Sequence, residues 1–135
     1  MSKDWVQDIK EMNSKFGVHD VIQKMDSTSF REFVKFRVNC IQEEVTETND
    51  AVLLQDKEEI VDGLIDVIVF SMVTLNELGI DANKAWDEVL QANLAKKVGM
   101  KKERINNFGF PDLIKPTDWK KPNHNFNYGK LNEIF

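Results

Sequence analysis

Cysteine is almost missing from this sequence. Only Cys40 occurs among 135 residues, so no intrachain disulfide can form and a reducing compartment is expected. Cys40 stands between Asn39 and Ile41 with no histidine nearby, which fits a packed side chain better than a nucleophile. Histidine is scarce as well: His19 and His124 are the only two. Long hydrophobic runs are lacking. The longest apolar stretch, Val67 to Leu75, is too short to span a bilayer and has Asp66 at its edge. The first residues, Met1 to Trp5, are polar and include Lys3 and Asp4, so no signal peptide is expected. These absences together predict a soluble, cytoplasmic protein with no membrane partner.

A surplus of positive charge is also absent. The formal net charge is −5 and the sequence pI about 5.1, which speaks against a nucleic-acid partner, since binding that backbone needs a basic face. A nucleotide ligand stays open, because a bound divalent cation can invert the local charge. The charges are unevenly spread: acids crowd residues 43–66, while Lys96, Lys97, Lys101, Lys102 and Arg104 cluster past the midpoint.

What is present is helical periodicity. Trp5, Ile9, Met12 and Phe16 mark an amphipathic helix over 4–16, ended by Gly17. Residues 18–27 form a weakly patterned connection with room for a helical turn near Val21 and Ile22. Thr28 or Ser29 is expected to cap a long helix from about Phe30 to Leu54, in which Phe30, Phe33, Val34, Val38, Ile41 and Val45 keep the rhythm. Asp56 caps the next, from Lys57 to Leu78, closed by Gly79. Asp81 caps a further one from Ala82 to about Val98. Beyond Gly99 the pattern dissolves among Gly109, Pro111, Pro116 and Pro122. The expected fold is therefore all-α: a bundle of about four to five helices over 1–104 with an irregular C-terminal tail over 105–135. Long helices with this much apolar surface are expected to complete their core by forming a homodimer or homotetramer.

Two acidic clusters stand out. In Glu43-Glu44-Val45-Thr46-Glu47, Glu44 and Glu47 lie one helical turn apart on one face. Such a run alone is usually a solvated face. Glu59, Asp62 and Asp66 then recur at spacings of three and four along a helix whose other positions are largely apolar. A helix apolar nearly all round is expected to be buried, and acids in it are costly unless paired or metal-bound. No Lys or Arg lies between Glu58 and Leu78 to neutralise them, although Arg37 from the preceding helix is available to pair with Asp66. Gly63 beside them points to a close approach by another backbone or a ligand. Two antiparallel helices joined near Leu54 to Lys57 bring the 44/47 pair opposite the 59/62 pair. Oxygen ligands without histidine favour Mg²⁺ or Mn²⁺ over zinc or copper, and the lack of a Glu-x-x-His pair argues against a di-iron centre.

Glu43-Glu44-x-x-Glu47 followed by Glu59-x-x-Asp62 resembles the signature of MazG-like all-α nucleotide pyrophosphohydrolases, which include dimeric dUTPases and phosphoribosyl-ATP pyrophosphohydrolases. Phe16-Gly17-Val18, Asp62-Gly63-Leu64-Ile65-Asp66, Leu78-Gly79-Ile80-Asp81, Ala92-Asn93-Leu94-Ala95-Lys96 and Ile114-Lys115-Pro116 with Trp119-Lys120-Lys121-Pro122 are similar to further segments of one branch. The departures are Gly63 for Ala, Ala92 and Ala95 for Ser, and Leu94 for Met. The resemblance implies that Glu44, Glu47, Glu59 and Asp62 hold Mg²⁺, with Glu43 supporting them or binding a further ion. It implies that Asn93 and Lys96 contact the phosphates of a nucleoside triphosphate, with Asp66 also on the substrate side. Glu44 or Glu47 is then the base that takes a proton from the attacking water. Lys96 and Lys97 also fit a simpler role as favourable charge at a helix C-terminus. Competing readings are a nucleotide-binding helical module without turnover, an acidic scaffold, and a phosphoribosyl-ATP pyrophosphohydrolase. Trp5, Phe16, Trp86 and Trp119 are the aromatics available to stack on a base.

Overall fold

The computed structural model describes residues 3–109 and 112–135. Met1 and Ser2 of the polar start, and Pro111 of the tail, lie outside the described residues. The chain divides into two compact units, one of residues Met1–Ala82 with Tyr128–Phe135, the other of Asn83–Asn127.

The first unit is all helical. Asp4 accepts a hydrogen bond from the Gln7 N–H and starts α1, Trp5–Lys15. Gly17, in the left-handed region at φ 67°, turns the chain into the short α2, Val18–Gln23. The long α3 spans Ser27–Leu54, and its cap is Asp26, whose carboxylate accepts from the Ser29 N–H at 2.7 Å. The helix thus begins three residues before the position expected from Thr28 or Ser29. Those hydroxyl residues sit inside the first turn, and the stronger acceptor just upstream takes the free N–H. Gln55, itself left-handed at φ 58°, ends α3, and Asp56 immediately caps α4, Lys57–Glu77. Only two residues separate the helices, so α3 and α4 form a tight antiparallel hairpin, with α1 packed on α4.

The core of this unit joins Ile22, Phe30, Leu78 and Ile134, with Phe33, Val34 and Ile80 packed against it. Ile134 reaches it because the last segment returns to the helices. The Lys130 N–H donates to the Leu78 carbonyl at 2.7 Å, and Arg31 donates from Nε and Nη2 to the Ile134 carbonyl. Gly129 opens the 3₁₀ helix Gly129–Glu133 at φ 51°, where a Cβ would run into the Leu78 carbonyl. Of the apolar stripe read for α1, Ile9 is buried but Trp5 and Phe16 are exposed. The buried partner on that helix is Asn13, which donates to Asn76 Oδ1 at 2.7 Å.

The second unit holds all but the first residue of α5, Ala82–Leu94, and a two-stranded antiparallel sheet of β1, Lys97–Gly99, and β2, Asp112–Ile114. The α5 helix stops four residues short of the expected Val98, because residues 97–99 pair with β2 instead of continuing the spiral. Trp119 donates its indole N–H to the Ala92 carbonyl at 2.6 Å, and the Asn123 N–H donates to Glu88, fastening residues after β2 to α5. Among the described residues no helix is long and apolar enough to cross a membrane.

Candidate active site

The tight turn at Gln55 and Asp56 decides the geometry of the acidic clusters. It lays α3 back along α4, so residues a few turns before it face residues a few turns after it. Thr48 and Gly63 mark the crossing. A Cβ on Gly63 would overlap Thr48 Oγ1 and lie 3.1 Å from Thr48 Cβ, so only glycine lets the two helices come this close. The approach inferred from Gly63 is therefore to a neighbouring helix. Thr48 Oγ1 is itself held, donating to the Glu44 carbonyl at 2.7 Å. Where the MazG-like pattern has Ala, this chain has Gly with a threonine filling the space.

That crossing predicts an unusual mutational response. Ala normally stabilises a helix interior relative to Gly by roughly 1 kcal/mol. Here Gly63→Ala is expected to destabilise by about 1–2 kcal/mol, because overlap with Thr48 outweighs the propensity gain. Adding Thr48→Ala should restore most of the loss. Urea unfolding of the two single variants and the double checks this: additive losses would mean the two positions do not compete for space.

Glu44 is the centre of the acidic group. Its half-buried carboxyl is pushed above the ordinary range, first by desolvation, then by the negative charges of Asp66, Glu47, Glu43 and Glu59. These neighbours come from both arms of the hairpin, so α3 and α4 do bring their acids together. Glu43, Glu47, Glu59 and Asp62 are exposed, and Asp66 is half-buried. The expectation that α4 is buried all round is corrected. Val61, Leu64 and Ile65 are 61%, 58% and 45% exposed, because α1, α2 and α3 cover only part of the helix. Glu59 and Asp62 accordingly stand in water rather than in an apolar interior.

Arg37 does not pair with Asp66. It makes a bidentate pair with Glu77, Nε to Oε2 at 2.9 Å and Nη2 to Oε1 at 2.6 Å, and its guanidinium lies over the Phe33 ring at 5.1 Å. The register of the hairpin explains this: Arg37 lies about two turns before Glu44 and meets the far end of α4, beyond the acids. The Glu77 side chain is fully buried. Burial pushes its carboxyl up, while Arg37, and more weakly His19, act against that. The pairing escaped sequence reasoning, since Glu77 carries no spacing signal of its own.

Asn93 and Lys96 belong to the second unit. Lys96 lies past the end of α5, outside the helix expected to run to about Val98, so the two do not share a helix. They are joined directly, the ammonium donating to Asn93 Oδ1 at 2.9 Å. The lysine cluster that follows belongs to the β1–β2 hairpin and its connection.

Among the described residues, no three Asp, Glu, His or Cys side chains converge closely enough to hold a metal ion in the positions they occupy. Like-charged carboxylates in water splay apart. The donor set itself fits a hard divalent cation: Glu43, Glu44, Glu47, Glu59 and Asp62 offer only carboxylate oxygens, carried on α3 and α4.

An all-helical hairpin with acids on both arms has the form of the all-α nucleoside triphosphate pyrophosphohydrolases of MazG-like type. Within that superfamily, the phosphoribosyl-ATP pyrophosphohydrolase profile matches residues 17–93, more than half the chain, and the chain belongs to that family. The activity that follows is pyrophosphohydrolysis of a nucleotide, the cleavage of a phosphoanhydride bond. The matched span contains α2, α3, α4 and most of α5, and so every acid of the two clusters. Comparison with curated proteins and with solved structures found no match.

Proposed function

We propose that the chain hydrolyses a nucleoside triphosphate between the α- and β-phosphates, releasing a nucleoside monophosphate and pyrophosphate, with Mg²⁺ (or Mn²⁺ in its place) as cofactor. The observation that carries this is the setting of Glu44 among Asp66, Glu47, Glu43 and Glu59 from two facing helices. Glu43, Glu44, Glu47, Glu59 and Asp62 would hold the metal, which when bound offsets phosphate charge and makes a bound water more acidic. Glu44 or Glu47 takes the proton as the water oxygen bonds to the α-phosphorus. The bond from that phosphorus to the bridging oxygen breaks, and the electron pair leaves with pyrophosphate. A carboxyl whose proton affinity is already raised, first by desolvation and then by its neighbours' charges, suits that acceptor role, which favours Glu44. Asp66 lies beside it and addresses the substrate. Asn93 and Lys96 are proposed phosphate contacts.

The test is an assay of pyrophosphate and monophosphate from a panel of ribo- and deoxynucleoside triphosphates and phosphoribosyl-ATP, with EDTA and the Glu47→Gln and Asp62→Asn variants as controls. Pyrophosphate released from one or more triphosphates, and lost in all three controls, is expected. Orthophosphate as product would move the cut to the terminal phosphate and break the mechanism. Turnover of phosphoribosyl-ATP alone would replace the proposed substrate with the one in the family's name. No turnover at all by folded protein would favour a nucleotide-binding module instead.

Val61, Leu64, Ile65 and Ile68 form an exposed stripe at spacings of three, one and three along α4. A second copy of the chain is proposed to cover it, as a homodimer or homotetramer. Light scattering should return at least twice the 15.7 kDa chain mass, and a monomer at working concentration rules the assembly out.

A further inference from the structure

We propose that the unit Asn83–Asn127 binds oligophosphate in a cleft built on the β1–β2 hairpin, in which Lys101, Lys102 and Lys115 join Lys96, the phosphate contact proposed above. This unit holds nine Lys and Arg against five Asp and Glu, in a chain whose net charge is −5. Four of these nine cations, Lys96, Lys101, Lys102 and Lys115, line one cleft of about 480 Å³, with Glu103 the acid in its lining and Leu113 part of its apolar wall. That volume falls within the range of small-molecule sites, roughly 300–1,000 Å³.

The strand pairing creates this concentration. Lys97 pairs with Ile114, so Lys96 and Lys115, one step further out on each strand, are brought opposite each other from distant parts of the chain. Both ammonium groups then share one aromatic partner, at 5.5 Å and 4.7 Å from the centre of the Trp119 ring. Trp119 is fixed by its hydrogen bond to Ala92, and Lys96 by its bond to Asn93. Among the described residues, none of Lys96, Lys102 and Lys115 is in a salt bridge. Asp112 of β2 is engaged by Arg104 through both oxygens at 3.1 and 3.2 Å.

Four like charges on so short a hairpin repel one another, and an ion with several negative charges reverses that repulsion where a single carboxylate would not. Lysine ammonium groups on short, braced elements act as point charges for phosphate oxygens. The choice of phosphate as the anion rests on the proposed pyrophosphohydrolase reading; the positive cleft does not.

Isothermal titration calorimetry on the full chain in EDTA, at matched ionic strength, tests this with inorganic triphosphate, pyrophosphate, ATP and sulfate. Triphosphate is expected to bind, and sulfate at least tenfold more weakly. Lys102→Ala and Lys115→Ala should each weaken triphosphate binding by about tenfold, with Lys115→Arg restoring it and circular dichroism unchanged. Asp62→Asn should bind triphosphate as the parent does, since EDTA removes any role of metal. If ATP binds more tightly than triphosphate, the cleft takes the phosphates of a nucleotide; equal binding assigns it to the free anion. No triphosphate binding in EDTA, or binding indifferent to both lysines, overturns the cleft. Either result bears on Lys96 as a phosphate contact, but the hydrolase proposal itself falls only if turnover with Mg²⁺ is absent.

Discussion

Glu44→Gln is expected to raise the melting temperature of the metal-free protein while removing its turnover. Glu44 is the acid most crowded by others, with Asp66, Glu47, Glu43 and Glu59 all acting on it. Neutralising it removes several like-charge repulsions, each worth a few tenths of a kcal/mol. Screening by water discounts the sum to on the order of 0.5 kcal/mol, or about 2 °C. The same change deletes a proton acceptor and a carboxylate of the proposed metal set, and the rate should fall roughly 10²–10⁴-fold. Mg²⁺ should raise the parent's melting temperature and have a smaller effect on the variant. The pH dependence follows from the direction of the shift. A carboxyl whose folded pKa lies above its unfolded value contributes stability at low pH and loses it as pH rises through the folded value. The advantage of Glu44→Gln should therefore be largest near neutrality and vanish on acidification, when the parent's Glu44 is protonated too. Calorimetry in EDTA from about pH 7 to pH 4 reads this directly. A variant that melts below the parent at neutral pH would mean that Glu44 makes a net favourable contact there, which contradicts the crowding.

The largest expected loss of stability comes from Arg37→Met. It strands Glu77, whose side chain is fully buried, without its bidentate partner. Breaking a buried pair from one side costs about 3–5 kcal/mol, here a fall of roughly 10–20 °C in melting temperature. The stacking of Arg37 on Phe33 is lost as well, although Met keeps part of that contact. Arg37→Met with Glu77→Leu should recover most of the stability, because an apolar pair of similar volume avoids burying charge at all. In the single variant, burial is left to push the Glu77 carboxyl up without opposition from Arg37, so its deficit should shrink as pH falls and that carboxyl takes up a proton. Denaturant unfolding of the two single variants and the double measures the coupling. If the double is no better than Arg37→Met, the pair is not what stabilises this end of the hairpin.

The all-α class, the number of helices and the Gln55–Asp56 turn were legible because they rest on local chemistry: apolar residues at spacings of three and four, and an aspartate cap at Asp56. The facing acid clusters were legible for the same reason, since a tight turn between two long helices leaves only one way to fold them together. Asp26 as the cap of α3 was missed because Thr28 and Ser29 offer competing local caps, and only the chain's path chooses between them. The end of α5 was missed because Lys97, Val98 and Gly99 leave the helix for a strand partner at residues 112–114, a pairing no local window contains.

By itself, then, the sequence determined which segments coil and which residue types carry chemistry: hard carboxylates on two helices, lysines beyond a third. Helix periodicity and capping act over a few residues and are written directly in order along the chain. Tertiary structure alone decided the pairings across distance. It matched Arg37 to Glu77 instead of Asp66, set Thr48 against Gly63, put Lys96 beside Lys115, and drew Ile134 back into the core. Each of these depends on register, strand pairing or chain return, and on burial that makes one partner favourable and another costly. It also left Val61, Leu64 and Ile65 in water, where periodicity alone had placed a buried face.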